Sequence, residues 1–268
     1  MSVVQASYVE ISLGQLGAAA ALLAVNIVLS LALRLGLARD LLVASVRMVV
    51  QLLLVGLVLE WVFGSDEPLV ILTIALLMAG IASVSAVRRT SRRFAGIYWS
   101  SLVSILGASF LVTGFALTVV LQTDPWWEPQ YLIPLHGMLL GNALSGISLG
   151  LERFLEGCAR RRGELEGLLA LGATRWEAAR GEVRGALRVG LVPTINSMMV
   201  MGIVSLPGMM TGQILAGAAP ADAVRYQIVI LFMIASCVAL ATTAVVALAF
   251  RRLFDRSHRL RRERLREA

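Results

Sequence analysis

Seven stretches of mainly apolar residues dominate this chain, at roughly 12–33, 41–63, 68–87, 94–121, 131–150, 190–217 and 225–250. A helix rising about 1.5 Å per residue needs about 20 such residues to cross a bilayer. Of the 268 residues, 58% are hydrophobic and 15% charged, against about 45–50% and about 25% in soluble domains. Mean hydropathy is +0.80. A water-soluble globule and a disordered chain are both excluded. The expectation is an all-α polytopic membrane protein of about seven transmembrane helices, forming a single domain over 1–268. The fourth stretch is long enough to tilt or bend.

Charge sets the expected orientation. The net charge is +7 and all 24 cations are arginine; the chain has no lysine. Without lysine there is no P-loop G-x-x-x-x-G-K-[ST] and no Schiff-base chemistry. An outside N-terminus puts Arg34 and Arg39, the four arginines of 88–93, eight between Arg153 and Arg188, and eight between Arg251 and Arg266 on the inside. Those 22 arginines satisfy the positive-inside rule with the N-terminus out and the C-terminus in. The basic balance is thereby assigned to topology, and no nucleic-acid partner is expected. Met1 to Glu10 carries no positive side chain, so it lacks the basic region of a cleaved signal peptide and the first span is expected to be retained. Glu60, Asp66, Glu67, Asp124 and Glu128 fall toward the outside, either as solvated charge or as hard oxygens for a departing cation. Two cysteines and two histidines make no metal cluster, and no bound cofactor is expected in this chain.

Residues 152–189 form the one sizeable polar segment between spans, predicted to be helical and to face the cytoplasm. Gly172 is placed to end one helix and Thr174 to cap the next. From Arg251 onward, 251–268 is a basic, amphipathic tail suited to anionic lipid.

The segment Glu166-Gly167-Leu168, followed by Gly172, Ala173 and Thr174, resembles the E-A-A-x-x-x-G loop of ABC-transporter permeases, with Gly167 and Leu168 in place of the two alanines. Further residues sharpen the resemblance: LGAT at 171–174, LVPT at 191–194, VSLPGMMTGQILAG at 204–217, Tyr226-Gln227, Arg47 with Gln51, Gly137-Met138 and Gly141-Asn142-Ala143. Together they resemble the FetB-type iron-export permease family, related to plant aluminium-tolerance permeases, from about Leu41 to Arg259. The resemblance implies a permease subunit in the cytoplasmic (inner) membrane that exports iron, with a separate cytosolic ABC ATPase carrying ATP and Mg. It further implies a homodimer of this chain. It places the coupling to the ATPase on Glu164, Glu166, Gly172, Ala173, Thr174, Glu177 and Arg180. Another metal or a nucleotide sugar remains an alternative cargo, and a non-transporting membrane scaffold an alternative role.

Other candidates come from the spans. Gly137, Gly141 and Ser145 lie four apart, a small-residue stripe for helix packing either within the chain or between copies; Gly146 and Gly150 add a second step. Pro207 is expected to kink or break the sixth span, and interrupted helices at membrane depth commonly line cavities. Met198, Met199, Met201, Met209 and Met210 surround that point, as soft ligands or as adaptable packing. With Asn142, Asn196, Ser205 and Gln213 they outline a path for a hydrated or chelated metal. Arg47 and Gln51 are one turn apart within the second span, where Arg47 either snorkels to the inner face or serves function. Gly146-Ile147-Ser148-Leu149-Gly150 matches G-x-S-x-G, but a nucleophile elbow needs a strand and a turn, and this run reads as helix.

Overall fold

The computed structural model describes residues 12–64 and 67–267. Asp66 and the reading of Met1 to Glu10 lie outside the described residues. Two compact units form: one from the first two helices together with Gln213–Ala218, the other from the rest of the chain.

In the first unit, α1 (Leu13–Ala32) is N-capped by Ser12, which exchanges hydrogen bonds with Gln15 in a capping box. The buried Ser30 accepts the Leu37 N–H at 3.1 Å and closes the turn into α2 (Ala38–Phe63). Leu22, Leu53 and many other large apolar side chains on this pair are exposed, the surface that lipid covers in a spanning helix.

The second unit begins with α3 (Pro68–Arg88), the strand β1 (Arg92–Phe94) and α4 (Ile97–Phe115), which ends in a π-helical turn at Ala116–Val120. It continues through α5 (Pro129–Arg160), α6 (Arg162–Ala170), α7 (Arg175–Val200), the start of α8 (Gly208–Leu215), whose residues from Gln213 on belong to the first unit, and α9 (Pro220–Leu253). Proline stands in the first turn of α3, α5 and α9, where its missing N–H has no intrahelical partner to lose. The helices pack through small residues. Ala75, Ala79, Ala82 and Ala86 on α3, and Ser100, Ser101, Ser104 and Ala108 on α4, are buried, and Ser101 Oγ donates to the Ser83 carbonyl at 3.2 Å.

At the centre α5, α7 and α9 meet at three glycines. A Cβ on Gly146 would lie 2.6 Å from Val238 Cγ1 and 3.2 Å from the Gly190 carbonyl oxygen, and one on Gly190 would lie 2.8 Å from the Gly146 carbonyl oxygen. Gly150 faces Thr242 Cγ2 at 2.8 Å on the same terms. Close approach within the chain thus falls mainly on the second glycine step. Of the first, a Cβ on Gly137 would meet Met78 Cε at 3.2 Å, Gly141 faces open space, and Ser145 is half-buried.

Among the described residues six helices, not seven, have the length and apolar character of a span. The stretch predicted as one span over 190–217 is divided. α7 stops at Val200, Gly202 takes φ 82°, its N–H bonds the Ser205 carbonyl, and α8 starts only after Pro207. Pro207 has no N–H to give to a helical partner, and a left-handed Gly202 ends the helix before it.

The tail carries a short strand. After α9 the chain turns back, and β2 (Leu265–Glu267) pairs antiparallel with β1, Phe94 opposite Leu265. The tail is held on its own fold by a two-stranded ladder.

Candidate functional site

The break between α7 and α8 borders two cavities in the second unit. The first, about 270 Å³, is lined by Met138, Asn142, Ser145 and Gly146 of α5, and by Gly190, Pro193, Thr194, Ser197 and Met198 of α7. Met201, Pro207, Gly208 and Met209 close it from the break and α8, and Gln227, Ile230, Leu231 and Ile234 from α9. The second, about 490 Å³, is more apolar, with Leu206, Met210, Val224, Ile228 and Phe232. Met198, Met201, Pro207, Gln227 and Leu231 border both. Gln227 is buried, and its Oε1 has no hydrogen-bond partner among the described residues. A buried carbonyl oxygen without a donor is costly, and such a group often marks a ligand position.

The donor set of the smaller cavity is neutral: amide and hydroxyl oxygens with four thioethers. Asn142 Nδ2 donates to the Met138 carbonyl at 2.8 Å, which leaves its side-chain oxygen as acceptor. Among the described residues no group of three or more His, Cys, Asp or Glu is placed to hold a metal. Neutral oxygens suit a cation that keeps much of its own ligand shell, and thioethers add soft, polarizable contact.

This geometry gathers only part of the expected path. Asn142, Met198, Pro207 and Met209 line the smaller cavity and Met210 the larger. Asn196 and Met199 on α7 and Ser205 in the break are exposed and line neither. Gln213 lies in the part of α8 that groups with the first unit. Arg47 and Gln51 are exposed one turn apart on α2, along a groove that includes Arg39 and Asp40. Ser148 and His136 are both buried in α5, so G-x-S-x-G is continuous helix.

The 152–189 segment is helical, though α5 continues through it to Arg160. Gly172 takes φ 93° and ends α6, and Thr174 caps α7. The Thr174 Oγ accepts the Glu177 N–H, while the Glu177 carboxylate accepts the Thr174 N–H at 2.8 Å and hydroxyl at 2.7 Å. Those donors hold the Glu177 carboxyl below its ordinary range. Glu166 pairs with Arg162, and Glu164 with Arg161, which lowers the Glu164 carboxyl's pKa as well. Leu171 at the turn is 88% exposed, with Leu168 and Trp176 also exposed beside it.

Further along α7 lies an ion triad built on a buried carboxylate. The Glu182 side chain on α7 is 1% exposed and receives Arg153 at 2.7 Å and Arg161 at 2.6 Å, both from the end of α5. The same end of α5 holds the loop after α3: Glu152 accepts the Ser91 N–H at 2.8 Å, and Glu156 pairs with Arg92 at 2.9 Å. α5 therefore ties the α6–α7 turn to the rest of the unit through charge-assisted bonds.

The family profile described as "Uncharacterised protein family (UPF0014)" matches residues 13–254. The chain belongs to the UPF0014 family. It is 41% identical over 248 residues to the UPF0014 membrane protein slr1647 of Synechocystis, covering 92% of this chain and 93% of that one. It is 33% identical over 241 residues to the probable iron export permease protein FetB of Escherichia coli, covering 89% and 91%. It is 31% identical over 249 residues to the protein ALUMINUM SENSITIVE 3 of Arabidopsis thaliana, covering 92% and 90%. No solved structure matches it. Six apolar helices and membership of UPF0014, whose relatives are named membrane proteins, make it a multi-pass membrane protein.

Two residues of this UPF0014 chain escaped the sequence reading of the site. Gln227 was noted only within a family motif, and a glutamine in an apolar run carried no sign that its carbonyl faces a cavity. Glu182 sat among exposed charges. In the structure its carboxylate packs against Gly157, where a Cβ would lie 1.9 Å from Glu182 Oε2, a closeness that no sequence pattern reports.

Proposed function

We propose that this chain is the membrane subunit of an ATP-driven exporter in the cytoplasmic membrane, with iron in hydrated or chelated form as its first cargo. The observation that carries the reading is the neutral oxygen-and-thioether cavity at the broken α7–α8 helix, with the unsatisfied Gln227 carbonyl on its wall. Its volume of about 270 Å³ admits a small hydrated or chelated complex. Similarity to a protein named as an iron export permease supports iron. With no lysine the chain has no P-loop of its own, so ATP and Mg belong to a partner ATPase.

In this reading the arginine-rich ends face the cytoplasm and the ATPase docks on 152–189, where Leu168, Leu171 and Trp176 expose apolar surface around the Gly172 turn. Two copies of the chain serve two ATPase subunits. Closure of the ATPase dimer moves α7 through the turn, and the α7–α8 break lets the cavity wall shift while α5 and α9 hold. The cargo passes the cavity as a guest of Asn142, Ser197, Gln227 and the thioethers.

The test is ATP-dependent uptake of radioactive iron, supplied as ferric citrate and as ferrous ion, into inside-out vesicles from cells producing the protein. Gln227→Leu is expected to lower uptake about tenfold, the equivalent of one lost buried polar contact. Full uptake in Gln227→Leu would overturn the cavity's role. Absence of ATP-dependent uptake in the unaltered protein would overturn iron export.

A further inference from the structure

Five arginines converge where α9 leaves its apolar stretch. Arg175 at the start of α7, Arg251 in the last turn of α9, and Arg256, Arg261 and Arg264 of the tail line a cavity of about 580 Å³. Asp255 is the one carboxylate among the described residues of its wall, 3.5 Å from Arg261. Backbone contacts build the cavity. The Asp255 N–H donates to the Arg259 carbonyl at 3.1 Å, the Arg261 N–H to the Leu253 carbonyl at 2.8 Å, and the Arg175 N–H to His258 Nδ1 at 2.9 Å. Two guanidinium groups are oriented in advance: Arg264 donates to the Arg252 carbonyl at 3.1 Å, and Arg175 lies over the Phe250 ring, 5.6 Å from its centroid. The side chains of Arg251 and Arg256 make no hydrogen bond or ion pair among the described residues.

Asp255 offsets one of the five charges. Four like charges around one cavity repel each other, and a multiply charged anion removes that cost. Guanidinium forks match phosphate oxygens in geometry and hold them by paired, charge-assisted bonds. We propose that this cavity binds a phosphate-bearing anion, at the level of the membrane where α9 turns from apolar to charged. The phosphate comes either from an anionic phospholipid headgroup or from a soluble phosphate compound. The site is independent of the cargo cavity and of the export reading.

Two measurements on the full-length protein separate the sources. In neutral detergent, pyrophosphate is titrated calorimetrically at low salt. In nanodiscs of phosphatidylcholine with or without phosphatidylglycerol, lipid retained on the protein is identified by native mass spectrometry. Binding is expected in at least one arm, weakening with salt. Replacing Arg251 and Arg256 together by glutamine is expected to weaken it about tenfold or more. Arg225→Gln, far out on the other end of α9 and 82% exposed, leaves it unchanged. Pyrophosphate binding alone assigns the site to a soluble anion; phosphatidylglycerol retention alone assigns it to lipid. If the double variant does not fold, Arg256→Gln decides, since that side chain anchors nothing in the fold. No binding in either arm, or binding that survives loss of these arginines, overturns the proposal.

Discussion

Replacing Arg153 and Arg161 together by methionine is expected to destabilise the protein severely. Both arginines are about half exposed, and their loss alone would pass for a surface change. The cost arises on Glu182, whose 1% exposed carboxylate then has neither partner. A buried charge stripped of its partners costs about 3–5 kcal/mol. Glu182→Met in the same background is expected to restore most of the loss, because apolar groups of similar volume replace a buried ion triad at little cost. The midpoint of thermal unfolding in detergent, followed by size exclusion, reads both variants. Equal stability of the double-arginine variant and the unaltered protein would show that Glu182 reaches water or another donor.

The second large effect belongs to the glycine seam. Gly190→Ala is expected to cost about 3 kcal/mol, the upper range for overpacking, because its Cβ would press on the Gly146 carbonyl as well as on Thr242. Gly150→Ala meets mainly Thr242 Cγ2, with the Ala186 carbonyl at an ordinary 3.5 Å. Thr242→Ser removes that methyl and is therefore expected to rescue Gly150→Ala but not Gly190→Ala. Rescue of both, or of neither, in the same unfolding measurement would contradict the packing at this three-helix junction.

Hydropathy located the helices well and their ends poorly. The stretch 131–150 became Pro129–Arg160 because helix α5 continues where the side chains turn charged, and apolar content marks membrane depth rather than helix length. The stretch 190–217 looked continuous because a left-handed glycine leaves no mark in a running average. Its proline was legible as a point of failure, yet the helix ends seven residues earlier, at Val200. Local chemistry was easier to read. Gly172 was legible as a helix end and Thr174 as the next cap, and both are found, Gly172 with positive φ and Thr174 in a capping box with Glu177 that only the structure shows. The cavity was half legible. Closeness in sequence to the break does not tell which residues line the cavity: Met198 does, whereas Asn196 and Met199 on the same helix do not. Gln227 depends on contacts between helices that no single-helix pattern reports.

The proposed partner of this UPF0014 chain is an ATPase bound at the α6–α7 turn. The most direct measurement is gentle detergent extraction from native membranes, followed by native mass spectrometry of what accompanies the chain. A P-loop ATPase is expected in equal number, two copies of each, lost when Gly172 and Glu166 are replaced. Capture of this chain without any ATPase under mild extraction would contradict it.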